Sequence, residues 1–297
     1  MNEILDNALL IINKIHPGLL DDGFEIIGSG FGSLVLESNE GVIIRIAKNL
    51  DTARQYIKEV KALPYIRHLI NVNIPKPSWH MYNPDTVPPG MMAYKKIKGI
   101  PIASDKIGIR NRSTIARQVA KFTISFHQIP YEALDCIPER NNGRENLMLL
   151  YRDTFNFLRR VLTTPELGKM EKWWQEIFAD NSFFVYKPVL CHGDLWYENI
   201  LVDEEYLNVI GIVDFSDMII GDPAVDLAPQ LYLGEDFYND VLEEYTKVFS
   251  EDEDIVKRAM KHQQLRELRG LQYAIKYNDK DEFTDSIDKI RNRIIFR

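Results

Sequence analysis

The segment His192-Gly193-Asp194-Leu195-Trp196-Tyr197-Glu198-Asn199 sets an aspartate and an asparagine five residues apart. Asp214, in Ile212-Val213-Asp214-Phe215, follows twenty residues after the aspartate. Moving a phosphoryl group from a nucleoside triphosphate needs a carboxylate beside the attacking hydroxyl and oxygen ligands for Mg²⁺. Asp194 suits the first task, and Asn199 and Asp214 suit the second. If Ile200-Leu201-Val202 and Ile210-Gly211-Ile212-Val213 pair as a hairpin, Asp214 returns beside Asn199. Singly, these residues also read as a helix cap, a turn and a strand end; in this order, with apolar strands between, they favour chemistry. His192 reads as a residue that shapes the loop by hydrogen bonding, not as a base.

The elements that must position these groups fall into two textures. Ile4, Leu5, Ala8, Leu9, Ile11 and Ile12 predict an opening amphipathic helix that ends near Pro17-Gly18. Strands follow at Phe24 to Ile27, Ser33 to Glu37 and Val42 to Ala47. Gly28 to Gly32 reads as a tight loop between the first two. Asp51 caps a helix running to about Pro64, and further strands lie near His80 and from Met91 to Ile97. Beyond Gly99-Ile100-Pro101 the chain turns helical, and Ile115, Val119, Phe122, Phe126 and Ile129 form one apolar stripe. A Trp173-Trp174 helix, a β-rich stretch from Val189 to Val213 and more helices complete it. This order predicts an α+β, bilobal fold: a small β-rich lobe over residues 1–96, a larger helical lobe over 97–297, and a nucleotide cleft between them.

Composition narrows the partners. The 297 residues carry 36 basic and 44 acidic side chains, a net charge of −8, which disfavours nucleic acid and anionic membranes. Two cysteines, Cys136 and Cys191, make no disulfide framework, and the acidic N-terminus is no signal peptide. A cytoplasmic protein, monomeric or weakly dimeric, is the expectation.

His192 to Asn199, followed by Ile212-Val213-Asp214-Phe215-Ser216-Asp217-Met218-Ile219-Ile220-Gly221-Asp222-Pro223-Ala224-Val225-Asp226-Leu227-Ala228, resembles the aminoglycoside phosphotransferase family. The resemblance implies a kinase-like fold, Asp194 as catalytic aspartate, Asn199 and Asp214 as metal ligands, and Mg²⁺ with ATP or GTP as donor. It also implies that Gly221 to Asp226, with Asp222 and Asp226, brace the catalytic loop. Gly28-Ser29-Gly30-Phe31-Gly32 stands where small residues let backbone N–H groups approach phosphates, although the same run serves as a plain hairpin turn. Arg45 occupies the strand position where the family commonly has the phosphate-gripping lysine, and Lys48 is the other candidate. Glu59 would be its partner, or a solvated helix carboxylate. Tyr94, Lys95, Lys96 and Ile97, within Met91 to Gly99, resemble the hinge strand that meets the purine.

For the acceptor the resemblances diverge. Lys96-Ile97-Lys98-Gly99 resembles aminoglycoside 2''-phosphotransferases, Gly221 to Ala228 macrolide phosphotransferases, and His192 to Trp196 ketoamine kinases. A polycationic acceptor wants uncommitted carboxylates, so Glu235, Asp236 and Glu267 are the substrate candidates for a cationic small molecule with a hydroxyl, an aminoglycoside first. A macrolide or a ketoamine or amino-alcohol metabolite is the alternative acceptor. A catalytically silent nucleotide-binding module is the alternative of another class. A protein acceptor is disfavoured, because only seven positions separate Asp214 from Gly221, too few for an activation segment.

Overall fold

The computed structural model describes residues 2–30, 32–103, 109–140 and 143–296. Helix α1 (Asn2–Ile15) precedes strands β1 (Phe24–Ser29), β2 (Ser33–Ser38) and β3 (Val42–Ala47). Helix α2 (Leu50–Ile66) then leads to β4 (Pro77–Tyr82) and β5 (Gly90–Lys95), closing an antiparallel sheet of order β1-β2-β3-β5-β4. The period of two along β3 sorts its residues. Ile44 and Ile46 pack with Leu34, Leu36 and Met91 beneath Ala8 and Ile12 of α1. Ile43 and Ala47 pack on the other face with Ala53 and Tyr56 of α2, and Arg45 shares that parity.

Three boundaries differ from the sequence reading. The cap of α2 is Asn49, whose side chain accepts from Thr52 N at 2.9 Å, and Asp51 lies inside the first turn. A short amide side chain in extended backbone satisfies a first-turn N–H that Asp51, already helical, cannot reach. The helix also continues past Pro64 to Ile66; so near the end, the proline removes one ladder bond and the chain need not break. Strand β5 stops at Lys95, so Lys96 and Ile97 lie beyond it.

The chain crosses at residues 96–99 to β6 (Ile100–Pro101), which pairs with β8 (Ile200–Val202), itself hairpinned to β9 (Val209–Ile212). Between them come α3 (Ile109–His127), α4 (Arg144–Val161), α5 (Thr164–Ala179) and β7 (Val189–Cys191). Strand β10 (Ile219–Gly221) pairs with β7, and α6 (Ala224–Leu227), α7 (Glu235–Thr246), α8 (Ile255–Tyr277) and α9 (Lys280–Ile290) end the fold. The apolar stripe of α3, Ile115 to Ile129, is buried against the β8–β9 hairpin and α7, in a core that also takes Ala62, Leu63 and Ile66 of α2. Helix α2 thus joins the sheet to the helical part. A second core packs α4, α5, α8 and α9 around Trp174, Leu268 and Ile290. Among the described residues no helix is long and apolar enough to cross a membrane.

Candidate active site

The loop after β7 carries the aspartate. Gly193 adopts φ +82°, and a Cβ there would lie 2.0 Å from the carbonyl oxygen of Asp217, so only glycine lets the loop pass. Asp226, fully buried, accepts from His192 N at 2.7 Å and Gly193 N at 2.8 Å, and its Oδ2 lies 3.1 Å from His127 Nε2. Burial alone would raise its pKa, but the His127 bond and the neighbouring imidazoles hold it below the usual carboxylate value. His192 Nδ1 accepts from Asp194 N at 3.3 Å, which makes Nε2 the donor to Val213 O at 3.2 Å. Its side chain ties the two halves of the site together. His127, Cys191 and Asp226 sit close enough to suggest a metal cluster, but Tyr245 and the loop amides already occupy the imidazole and carboxylate, so the group braces. Asp222, also buried, accepts from Arg258 Nε at 3.0 Å, lies 2.9 Å from His262 Nε2, and caps α6 through Ala224 N at 3.0 Å.

The β8–β9 hairpin does bring Asp214 back. Ile200 faces Ile212, and Val213 N donates to Asn199 O at 2.9 Å. Asn199 Nδ2 donates to Asp194 O at 2.9 Å and to Asp194 Oδ2 at 3.2 Å, which turns its Oδ1 away from the aspartate. Asp214 stands at φ +61°, a left-handed backbone that aspartate tolerates better than most residues. Its Oδ1 accepts from Arg45 Nη2 at 2.9 Å. Asp217, unnoticed in the sequence, joins them: burial first, then the charges of Asp194 and Asp214, push its carboxyl up. An amide oxygen and converging carboxylates form a hard, all-oxygen donor set, and carboxylates repelling one another in a half-buried site fit Mg²⁺.

Arg45 and Lys48 occupy different places. Arg45, directed by strand parity toward α2, bonds Glu59 at 2.9 Å, Asp214 at 2.9 Å and Ser216 Oγ at 2.9 Å, and its guanidinium lies over the Tyr56 ring. Glu59 is buried, not solvated, and burial raises its pKa against the pull of Arg45. Lys48 reaches Ser29 Oγ at 3.0 Å and the carbonyl of Gly30, so it braces the glycine hairpin. Gly28 and Ser29 belong to β1 and not to the loop; Phe31 lies outside the described residues. Tyr94 is buried in β5, where it pairs with Ile43. Lys95 turns to the carbonyl of Glu40 and Lys96 to Glu37 at 2.7 Å, both at the surface. Ile97 packs against Gly211, where a Cβ would come within 2.6 Å of it.

The acceptor candidates need correction. Glu235 and Asp236 open α7, and Asp236 faces Arg112 of α3 at 3.4 Å; neither lines the cavity of about 640 Å³ beside Asp194. Helix order put them close along the chain, but the turn after Leu233 carries α7 to the α3 side. Glu267 does line the cavity, yet Arg293 at 2.5 Å and the Tyr232 hydroxyl hold it. Of the three acids expected to meet a cationic acceptor, none is both in the cavity and unpaired; Asp217 and Glu282 line it instead. Arg266, given no role by the sequence, instead binds Asp194 at 2.8 Å while lying over Trp196.

A sequence model of the phosphotransferase enzyme family matches residues 23–259. The chain belongs to that family. Among solved structures, the GDP and kanamycin complex of an aminoglycoside 2''-phosphotransferase of type IIIa superposes with a TM-score of 0.87 at 21% identity, covering 97% of this chain and 98% of the other. The streptomycin–ATP complex of an aminoglycoside 2''-phosphotransferase of type IIa gives 0.70 at 20%, over 96% and 95%. Macrolide 2'-phosphotransferase type I gives 0.71 at 16%, over 96% of both. At such identities the likeness shows the fold, a bilobal kinase-like one shared by all three.

Proposed function

We propose that this phosphotransferase is a Mg²⁺-dependent small-molecule kinase that moves the γ-phosphate of ATP or GTP directly onto an alcohol hydroxyl. The observation that carries the reading is the meeting of Asp194, Asn199 and Asp214 across the β8–β9 hairpin, with Arg45 bonded to Asp214. Asp194 orients the acceptor hydroxyl and accepts its proton. Asn199 Oδ1 and Asp214 hold Mg²⁺, which when bound neutralises charge on the phosphates. Arg45, kept in place by Glu59, steadies the phosphates as a fork, while the glycine hairpin braced by Lys48 covers them. The backbone of 94–97, at the crossing between the sheets, is the purine edge's partner. Positioning and charge stabilisation suffice, and no phospho-enzyme is required.

Relatives crystallised with kanamycin and streptomycin, and a macrolide relative, make those two acceptor classes the first to try. The fold likeness favours an aminoglycoside; the charges of the cleft do not. Phosphate transfer from ATP and from GTP is measured against aminoglycosides, macrolides, ketoamine sugars, amino alcohols and hydroxy acids. Turnover with one class that disappears in Asp194→Ala supports the kinase. Tight Mg²⁺–nucleotide binding with no transfer to any of them supports a silent nucleotide-binding module instead.

A further inference from the structure

The cavity beside Asp194 is contiguous in its lining with a second one of about 870 Å³, and Arg140, Arg269 and Tyr273 face both. Of the acids around them, two are held by arginines and the others accept from neutral donors. Asp194 holds Arg266, Glu267 holds Arg293, Glu282 accepts from Ser286 at 3.0 Å, and Asp153 accepts from Gln272 at 2.8 Å. Asp217 accepts from Gln55 at 3.3 Å, and neither it nor Glu282 has a cation within ion-pair distance among the described residues. Of the cations, Lys289 is paired with Asp285 at 2.5 Å. Arg140 and Arg269 have no carboxylate within ion-pair distance among the described residues. Arg269, one turn from Arg266 on α8, is pushed down to about 9, by burial first and then by the charges of Arg140 and Arg266. A half-buried guanidinium among like charges and without a counter-ion is unfavourable unless something anionic completes it.

Resting on the kinase reading above, we propose that Arg140 and Arg269 form an anion subsite for the acceptor. The acceptor is then a small hydroxylated molecule carrying a carboxylate or phosphate, not a polycation. The planar forks of two arginines suit either group, and the subsite lies one helical turn, ~5 Å, along α8 from the arginine that touches Asp194. A hydroxyl placed at Asp194 and an acid placed at Arg269 thus fit within one small molecule.

The nucleotide's own phosphates are the rival source of anion, so the test blocks them. With a saturating non-hydrolysable Mg²⁺–ATP analogue, inorganic phosphate is titrated and the melting temperature followed. The wild type should show a saturable rise that Arg140→Gln and Arg269→Gln abolish. No rise in the wild type, or the same rise in all three, overturns the subsite. Arg269→Gln removes a repelled charge and should melt no lower than wild type, so folding does not confound the comparison. Binding of the Mg²⁺–ATP analogue itself is read separately, and its absence would count against the kinase reading and not against this one. In transfer assays, gluconate against sorbitol and glucose 6-phosphate against glucose form matched pairs, with kanamycin as the cationic arm. Preference for the acidic members by tenfold or more in KM, lost in the variants while the nucleotide KM stays unchanged, supports the proposal; preference for kanamycin overturns it.

Discussion

At the scale of single residues, the site depends on side chains that each hold two jobs. Asp194 lines the cavity of about 640 Å³, while Asn199 and Arg266 bond its carboxylate. Replacing it by alanine should lower kcat by about 10²–10⁴, the usual reach of general acid–base work, with Mg²⁺–ATP affinity unchanged by calorimetry. Asp214→Ala should remove the Mg²⁺ dependence of nucleotide binding altogether; nucleotide titrations with and without Mg²⁺ that still differ would refute its role. Arg45 joins Glu59, Asp214 and Ser216 through one planar group. A lysine there reaches one of them at a time, losing at least one charge-assisted bond worth ~1.5–3 kcal/mol. Arg45→Lys is expected to raise the nucleotide KM roughly 10–100-fold and leave the acceptor KM alone.

At the scale of elements, one buried carboxylate organises a loop. Asp226 on α6 accepts from two successive loop amides and from His127 of α3. Asp226→Ala would leave those donors buried without an acceptor, so a loss of about 3–5 kcal/mol in urea unfolding is expected, with activity falling alongside stability. Asp194→Ala, by contrast, should spare stability. Helix α2 shows the same economy of placement: one face carries Tyr56 and Glu59 to the sheet, and its end buries Ala62, Leu63 and Ile66 in the helical core. Glu59 was legible as a partner for the strand cation, but its burial was not, because the neighbouring residues that enclose it come from α2's docking on β3.

At the scale of the whole molecule, acid should unfold the protein in two stages. His262 is held below its ordinary value of 6.5, by burial first, against the pull of Asp222. The unfolded chain therefore binds a proton that the fold refuses, and stability is lost as pH falls below about 6.5. Asp222 and Asp226 keep their carboxyls below 3.8 despite burial, through histidine and arginine partners. Their contribution is present above that value and lost as pH falls further. Glu59 acts the other way, since burial raises it and its protonated form favours the fold at lower pH. The urea midpoint should drop between pH 7 and 5, and His262→Gln, which keeps a donor to Asp222, should flatten that drop by up to about 1.4 kcal/mol per pH unit. An unchanged slope in the variant would remove His262 from the account.

The sequence by itself determined the order of elements that makes the fold α+β, and the segments that carry Asp194, Asn199 and Asp214. Asp194, Asn199 and Asp214 were readable because the loop and hairpin that join them are local, with strands of clear apolar character between fixed motifs. The same locality makes Gly193 readable as a loop glycine, though not why its carbonyl neighbour is Asp217, which arrives from β10's pairing with β7. Only the tertiary structure set Arg45 and Lys48 apart, one facing α2 and Asp214 and the other reaching the glycine hairpin. It alone removed Glu235 and Asp236 from the cleft and brought Arg140, Arg266 and Arg269 into it. Charge is counted along a chain, but a pocket sees charge only after helices far apart in sequence have turned their faces, and α8 turns its arginines inward.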